Sequence, residues 1–276
     1  MQHSALSYTR IKKICNTVIT DEEDVLAAEE PLEIQLVYGA ADHPQEQSIT
    51  VTMRTPGQDQ ELAAGFLFTE GIIRHAADIA EMQSTGPNGN IIRVRLHPHV
   101  KPALQPAARN FFSNSGCGVC GKAGIAAIFT AVPAADKRTR FTFPAAQLLL
   151  LPGSIRNQQR LFEDTGGIHA AALFNAGGTL LLLREDIGRH NAVDKLIGAA
   201  LTAGNIPLSA SLLLLSGRAG FELIQKAAMV AIPIIAAVGA PSSMAVKMAQ
   251  EWDITLIGFL REQRCNIYTG EERILV

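Results

Sequence analysis

Two cysteines stand close together in this chain, Cys117 and Cys120, inside the run Ser113-Asn114-Ser115-Gly116-Cys117-Gly118-Val119-Cys120-Gly121-Lys122-Ala123-Gly124. Thiols two residues apart can close a disulfide, share a metal ion, or pass a sulfur atom between them. A structural zinc site needs four ligands, commonly two such pairs. This chain has one pair, and the nearest histidines, His97 and His99, lie across a proline-rich connector. A thioredoxin-like redox pair sits where a strand meets a helix, whereas here glycines flank the pair and no buried strand precedes it. Flanking glycine is costly around a core cysteine and useful in a loop that must swing. Lys122 favours the thiolate, the nucleophilic form. Spacing and glycines favour a mobile thiol carrier, with a metal site, a redox pair and two incidental cysteines left open.

Other residues could do chemistry. Arg184-Glu185-Asp186-Ile187-Gly188-Arg189-His190-Asn191 is dense in polar groups at the end of a strand-like run. His190 with Asp186 or Asp194 could form an acid–base pair, and Asp or Asn there could equally cap a helix. His169 follows Thr165-Gly166-Gly167 and precedes an apolar strand, a placement that suits a satisfied, partly buried histidine at least as well as a catalytic one. Ser216-Gly217-Arg218, between an apolar run and a helix, could bind an anion at the helix N-terminus or be a simple turn with an exposed arginine.

The elements that must position these residues follow from periodicity. Leu32–Tyr38 and Ser48–Met53 alternate as half-buried strands do, and Ile91–Leu96 alternates with Arg93 and Arg95. Thr55-Pro56-Gly57 is a turn, and Glu61–Phe68 a short helix ending near Gly71. His97–Pro106 is a connector, and Ile125–Val132 a short helix. A second linker, Pro133–Arg140, marks the domain boundary, with residues 1–138 as a smaller N-terminal α+β domain and 139–276 as a C-terminal α/β domain.

In the second half, Asn175-Ala176-Gly177-Gly178 joins two short strands as a hairpin. Asn191–Leu201 and Phe221–Ala231 are helical, and Ser242 or Ser243 caps a helix running to Trp252, a core residue. Ser211–Leu215, Ile234–Val238 and Thr255–Phe259 read as buried parallel strands. Strand, helix, strand, helix, strand in short units predicts an open α/β sheet, whose ligands sit beyond the carboxyl ends of the strands.

Composition removes several function classes. Hydrophobic residues make up 47% and charged residues 18%, enough apolar surface for a real core. Formal net charge is −2 with no basic run, so nucleic acid is not an expected partner. The most apolar stretch, Ala227–Ala240, is interrupted by Pro233 and is shorter than the ~18 residues of a membrane span. The first residues lack a basic start followed by an apolar core, so no secretory signal is expected. The four cysteines suggest a reducing compartment, hence a cytoplasmic protein, with one thiol site.

Seven segments in order resemble the FdhD family, the sulfur carriers needed for formate dehydrogenase activity. They are 62–73 (LAAGFLFTEGII), 116–121 (GCGVCG), 165–173 (TGGIHAAAL), 184–198 (REDIGRHNAVDKLIG), 216–218 (SGR), 239–245 (GAPSSMA) and 258–261 (GFLR), the last followed by NIYTG. The resemblance implies that a cysteine desulfurase loads sulfur on Cys117 as a persulfide, with Cys120 as its partner. The chain would then act as a sulfurtransferase, giving that sulfur to the molybdenum or tungsten of a bis-pterin guanine dinucleotide cofactor (Mo-bis(molybdopterin guanine dinucleotide)) bound for the catalytic subunit of formate dehydrogenase.

The same resemblance makes Phe259, Leu260, Arg261, Glu262, Gln263 and Arg264 the cofactor-binding segment, and it implies a cytidine-deaminase-like fold for the C-terminal domain. Deaminase chemistry is not implied, because the sequence contains no His-x-Glu. No permanent metal is expected. GDP and GMP should bind as cofactor fragments, in a crevice to which Ser216, Arg218, Asp186, His190, Asn191 and Asp194 contribute. A homodimer is compatible with the sequence. Two other readings stay open: a cofactor-holding chaperone without covalent sulfur transfer, and a dithiol oxidoreductase.

Overall fold

The computed structural model describes residues 4–104, 132 and 141–276. The Cys117–Cys120 loop, the helix expected over 125–132 (apart from residue 132) and the boundary expected near 133–140 lie outside the described residues.

The chain begins with a hairpin for which the sequence reading proposed no element, β1 (Leu6–Cys15) and β2 (Val18–Ala27). Asn16 and Thr17 at its tip take φ of 48° and 70°, the positive values a two-residue turn between right-twisted strands requires. A four-stranded sheet follows, in the order β4-β3-β6-β5, from β3 (Glu30–Tyr38), β4 (Gln45–Arg54), β5 (Ile79–Thr85) and β6 (Ile91–Leu96). Helix α1 (Asp59–Thr69) crosses between β4 and β5 with Asp59 and Glu61 in its first turn, where the helix dipole favours acids. Gly71, at φ 71°, stops the chain just beyond it, as expected.

The second half carries β7 (Phe143–Pro144), the short helices α2 (Ala145–Leu148), α3 (Leu151–Arg156) and α4 (Arg160–Thr165), and then the hairpin β8 (His169–Phe174) and β9 (Leu180–Asp186). Three strand–helix units follow: α5 (Arg189–Thr202), β10 (Leu212–Leu215), α6 (Phe221–Met229), β11 (Ile234–Ala237), α7 (Ser243–Glu251) and β12 (Thr255–Arg261). The last strands are β13 (Arg264–Thr269) and β14 (Ile274–Leu275), and β14 pairs with β7. The large sheet runs β13-β12-β11-β10-β8-β9. Its centre, β10, β11 and β12, is parallel as expected, while β8, β9 and β13 join antiparallel at the two sides. The fold is mixed α/β.

The continuous apolar runs are explained by burial on both sheet faces. Leu213, Leu215, Ile235 and Ala237 enter the larger core, which also holds Leu32, Ile34, Leu62 and Leu67 from the first half of the chain. Leu212, Leu214, Ile234 and Ala236 enter a second core under α2 and α3, with Phe143, Leu148 and Ile155. Helices α1 and α5 meet at paired glycines. A Cβ on Gly65 would collide with the Asp194 backbone carbonyl, and one on Gly198 with that of Glu61. Only glycine lets two helix backbones approach this closely.

Candidate functional site

The carboxyl ends of the three parallel strands converge. Gly239 N–H donates to the Gly217 carbonyl at 2.9 Å, and Phe259 N–H donates to the Gly239 carbonyl at 3.1 Å. A Cβ on Gly239 would come within 2.9 Å of the Gly217 oxygen and the Arg218 nitrogen, and one on Gly258 within 2.7 Å of Pro241 Cδ. Glycine at both positions therefore lets the loops close on one another. Phe259, the next residue, is held at φ 53° where the register between β12 and β13 shifts.

Against these strand ends lies a cavity of about 910 Å3, within the size range of small-molecule sites. One wall is the turn from β12 into β13, with Leu260, Arg261, Glu262, Gln263 and Arg264. The facing wall comes from α3 and α4, with Ile155, Arg156, Gln159 and Phe162. The floor is Gly166 to His169 with Ser216 and Val238. Three arginines, an acidic residue and two glutamines thus surround an apolar base, a lining able to take an anionic, flat, hydrogen-bonding ligand. Arg261 is anchored by its backbone neighbours, its Nη1 donating to the carbonyls of Val238 (2.6 Å) and Leu260 (2.8 Å).

His169, the first residue of β8, lies on that floor with its ring packed over Gly217, where a Cβ would come within 3.1 Å of it. Burial, then the charges of Arg189 and His190, hold its pKa below the usual histidine value. The sequence left this residue balanced between core and chemistry. Its place at the end of a strand, on the side where the other strand ends open, was the signal that could have decided it. Phe162 belongs to a short helix that no periodicity announced, and Gln159 is the residue just before that helix. Their wall is fixed by Glu185, whose carboxylate accepts from the backbone N–H groups of Leu161 and Phe162 at 3.1 Å each. Burial pushes the Glu185 carboxyl upward in spite of those bonds.

Of the residues expected to reach a ligand, Ser216, Leu260, Arg261, Glu262, Gln263 and Arg264 line the cavity. Phe259 and Arg218 are exposed at the same strand ends but outside the lining. Asp186, Asn191 and Asp194 are elsewhere, in the interior. Asp186 pairs with Lys195 at 2.7 Å and accepts from the N–H groups of Thr55 and Gly188. Asn191 donates to the Met53 carbonyl at 2.8 Å and to Asp186. Asp194 takes both oxygens' worth of contact from Lys226 at 2.9 Å and a further bond from Thr69 at 2.8 Å. Burial pushes both aspartates upward, against the pull of Lys195 and Lys226. His190 pairs with Glu222 at 2.8 Å, so it is tied to α6 rather than to either aspartate.

The block from Arg184 to Lys195 is therefore a brace. Arg184 forks onto Glu61 of α1 at 2.5 and 2.8 Å, Glu185 holds α4, Asp186 and Lys195 hold Thr55, and Asp194 holds α6 and the end of α1. Among the described residues, no group of three or more His, Cys, Asp or Glu is placed to bind a metal ion. No described helix is long and apolar enough to cross a membrane.

The chain's relatives share most of its length. A protein of Mycolicibacterium paratuberculosis named sulfur carrier protein FdhD is 49% identical over 261 residues, covering 91% of this chain and 92% of the relative. One of the same name from Mycobacterium bovis is 45% identical over 280 residues, covering 98% and 99%. A crystal structure from Desulfotalea psychrophila, described as a formate dehydrogenase accessory protein, superposes with a TM-score of 0.77 at 26% identity, covering 99% of this chain and all of that one. The FdhD/NarQ family model matches residues 27–275. With strand ends, cavity and brace all inside that match, this chain belongs to the FdhD/NarQ family.

Proposed function

We propose that the protein carries sulfur as a persulfide on Cys117, received from a cysteine desulfurase. It hands that sulfur to the metal of a molybdenum or tungsten bis-pterin guanine dinucleotide cofactor destined for formate dehydrogenase. The observation that carries this reading is identity of 45–49% over more than nine-tenths of the chain to proteins named sulfur carriers. The cofactor is cargo here, and the cavity's chemistry fits one of its nucleotide ends. Arg156, Arg261 and Arg264 suit a diphosphate, Phe162 and Leu260 suit a planar base, and Glu262, Gln159 and Gln263 add side-chain acceptors to the lining. Glu262 could accept both the ring N–H and the amino group of guanine, a pairing adenine does not offer. A hairpin followed by three parallel strands, in the order β9-β8-β10-β11-β12, supports the likeness to the cytidine deaminase fold.

Mass spectrometry of the purified chain after incubation with a cysteine desulfurase and cysteine tests the carrier role. One added sulfur is expected, absent in Cys117→Ala, and that variant should fail to mature formate dehydrogenase. Full maturation by Cys117→Ala would leave only a holder of the cofactor. Turnover of a dithiol substrate without sulfur transfer would make the pair an oxidoreductase site.

A further inference from the structure

On the cavity floor, half-buried His169 sits beside Ser216. Glycine at 217 makes room for the ring, because a Cβ there would lie 3.1 Å from both Cε1 and Nδ1. Ser216 Oγ accepts from Ala170 N–H at 2.8 Å, and a hydroxyl that accepts still has its own proton to donate. The floor therefore presents an imidazole and a hydroxyl side by side.

Charges face the ring from every side. Arg189 and His190 reach it from α5, and Asp186 from β9. Asp186 is paired with Lys195 at 2.7 Å, and His190 with Glu222 of α6 at 2.8 Å. Arg189 is different, because its Nε is buried and has no hydrogen-bond partner. Elsewhere on the lining stand Arg156 from α3, and Arg261, Glu262 and Arg264 from the β12–β13 turn. With the two pairs balanced, Arg189 and these three arginines outweigh Glu262, and the field at the ring is net positive. Burial, then the charges of Arg189 and His190, disfavour the imidazolium.

We propose that His169 takes up a proton when the cavity receives a diphosphate and, as imidazolium, donates a charge-assisted hydrogen bond to it. Ser216 donates to the same group. The inference rests on the reading of the cavity as a nucleotide site, and it adds the residue that makes binding depend on pH. The field that keeps the ring neutral is the same field that draws an anion in. Once the anion lies against the ring, its charge offsets the arginines and its oxygen replaces the water that burial removed. Both causes that opposed the imidazolium are then reversed. Proton and anion arrive together, and each strengthens the binding of the other. The cavity consequently holds a diphosphate more tightly in mildly acidic solution and loosens it as pH rises.

The probe is GDP-mannose. Its diphosphate is esterified at both ends and has no proton that titrates near neutrality, so any proton taken up belongs to the protein. Calorimetry on the full chain at about pH 6, in buffers of different ionisation enthalpy, counts that proton. Wild type should take up at least about half a proton per ligand bound, and its affinity should rise roughly five- to tenfold from about pH 7.5 to about pH 5.5. His169→Gln should bind with almost no uptake and an affinity constant within about twofold over the same range. Uptake retained in His169→Gln assigns the proton to another group and overturns the proposal. So does binding to wild type without uptake, which leaves the nucleotide reading of the cavity standing. No binding of GDP-mannose at millimolar concentration removes that reading, and this proposal with it. His169→Asn serves as a second variant. Should neither variant fold, the proton count and pH dependence of wild type decide, and a pH-independent affinity refutes the inference.

Discussion

Replacing Lys226 by Met should destabilise the protein strongly and leave nucleotide binding by the folded chain intact. Lys226 Nζ lies 2.9 Å from both oxygens of Asp194 and 2.9 Å from Thr69 Oγ1, with Lys226 and Asp194 side chains 6% and 2% exposed. Removing one member of such a pair strands a buried charge, which costs about 3–5 kcal/mol. For a chain of this size that is a fall in melting temperature of about 6–20 °C. Replacing both partners, Lys226→Met with Asp194→Leu, removes the stranded charge and should recover much of the loss, and Thr69 keeps the Phe66 carbonyl as an acceptor at 3.3 Å. Thermal melts of the wild type, both single variants and the double variant give the coupling directly. Calorimetry with GDP well below the transition gives the affinity of the folded protein. A fall of less than ~2 °C in Lys226→Met would refute the brace. So would a GDP affinity reduced tenfold or more, about 1.4 kcal/mol, in an Asp194→Asn variant that melts like wild type, because Asp194 would then be touching ligand.

Three further outcomes follow from the same geometry. Arg264→Ala, on the cavity wall, should weaken GDP by roughly ten- to a hundredfold, while Arg218→Ala, exposed outside the lining, should change it by less than about twofold; GDP should bind more tightly than ADP, and equal affinities in calorimetry would put the base elsewhere. Gly198→Ala forces a methyl against the Glu61 carbonyl and should cost at least about 1–3 kcal/mol in urea unfolding, whereas Gly204→Ala, with open space around it but φ 73°, should cost only the smaller strain of its backbone. The lowered pKa of His169 sets a sign: above about pH 6.5 both states are neutral there, and as pH falls the unfolded chain takes up a proton that the folded chain resists, so stability is lost. His169→Gln should therefore lose less stability between about pH 7 and pH 5 than wild type, as read by urea melts at the two values.

The local vocabulary of the fold was legible because it rests on short-range rules. Alternation gave β3, β4 and β6, Asn175-Ala176-Gly177-Gly178 gave the β8–β9 turn, and Ser242 caps α7 by accepting from Ala245 N–H at 3.2 Å. The unbroken apolar runs of β10 and β11 correctly meant burial on both faces. The hairpin at the start escaped because its faces mix charge with apolar residues in both registers, so neither period stands out. Its turn is Asn16-Thr17, without the glycine that usually announces positive φ. Helices α2, α3 and α4 escaped because 4–6 residues are too few to display a helical period, and each exists only where the second core or Glu185 holds it.

The burial of Asp186, Asn191 and Asp194 outside the cavity lining has an instructive cause. A sequence displays which residues are charged but not which charges have already found each other. Asp186 is satisfied by Lys195, nine residues on, by Asn191, five residues on, and by Thr55, 131 residues back. Asp194 is satisfied by Thr69 and by Lys226, 125 and 32 residues away. No local pattern encodes such pairings, so a run dense in polar groups at a strand end reads as a site. The cavity instead is lined from the β12–β13 turn and from α3 and the start of α4. The brace still bears on function, because Glu185 fixes α4 and Asp186 ties β9 to Thr55. A change in the brace should move the cavity's far wall relative to the strand ends, and its effect on cargo binding would be transmitted through position rather than contact.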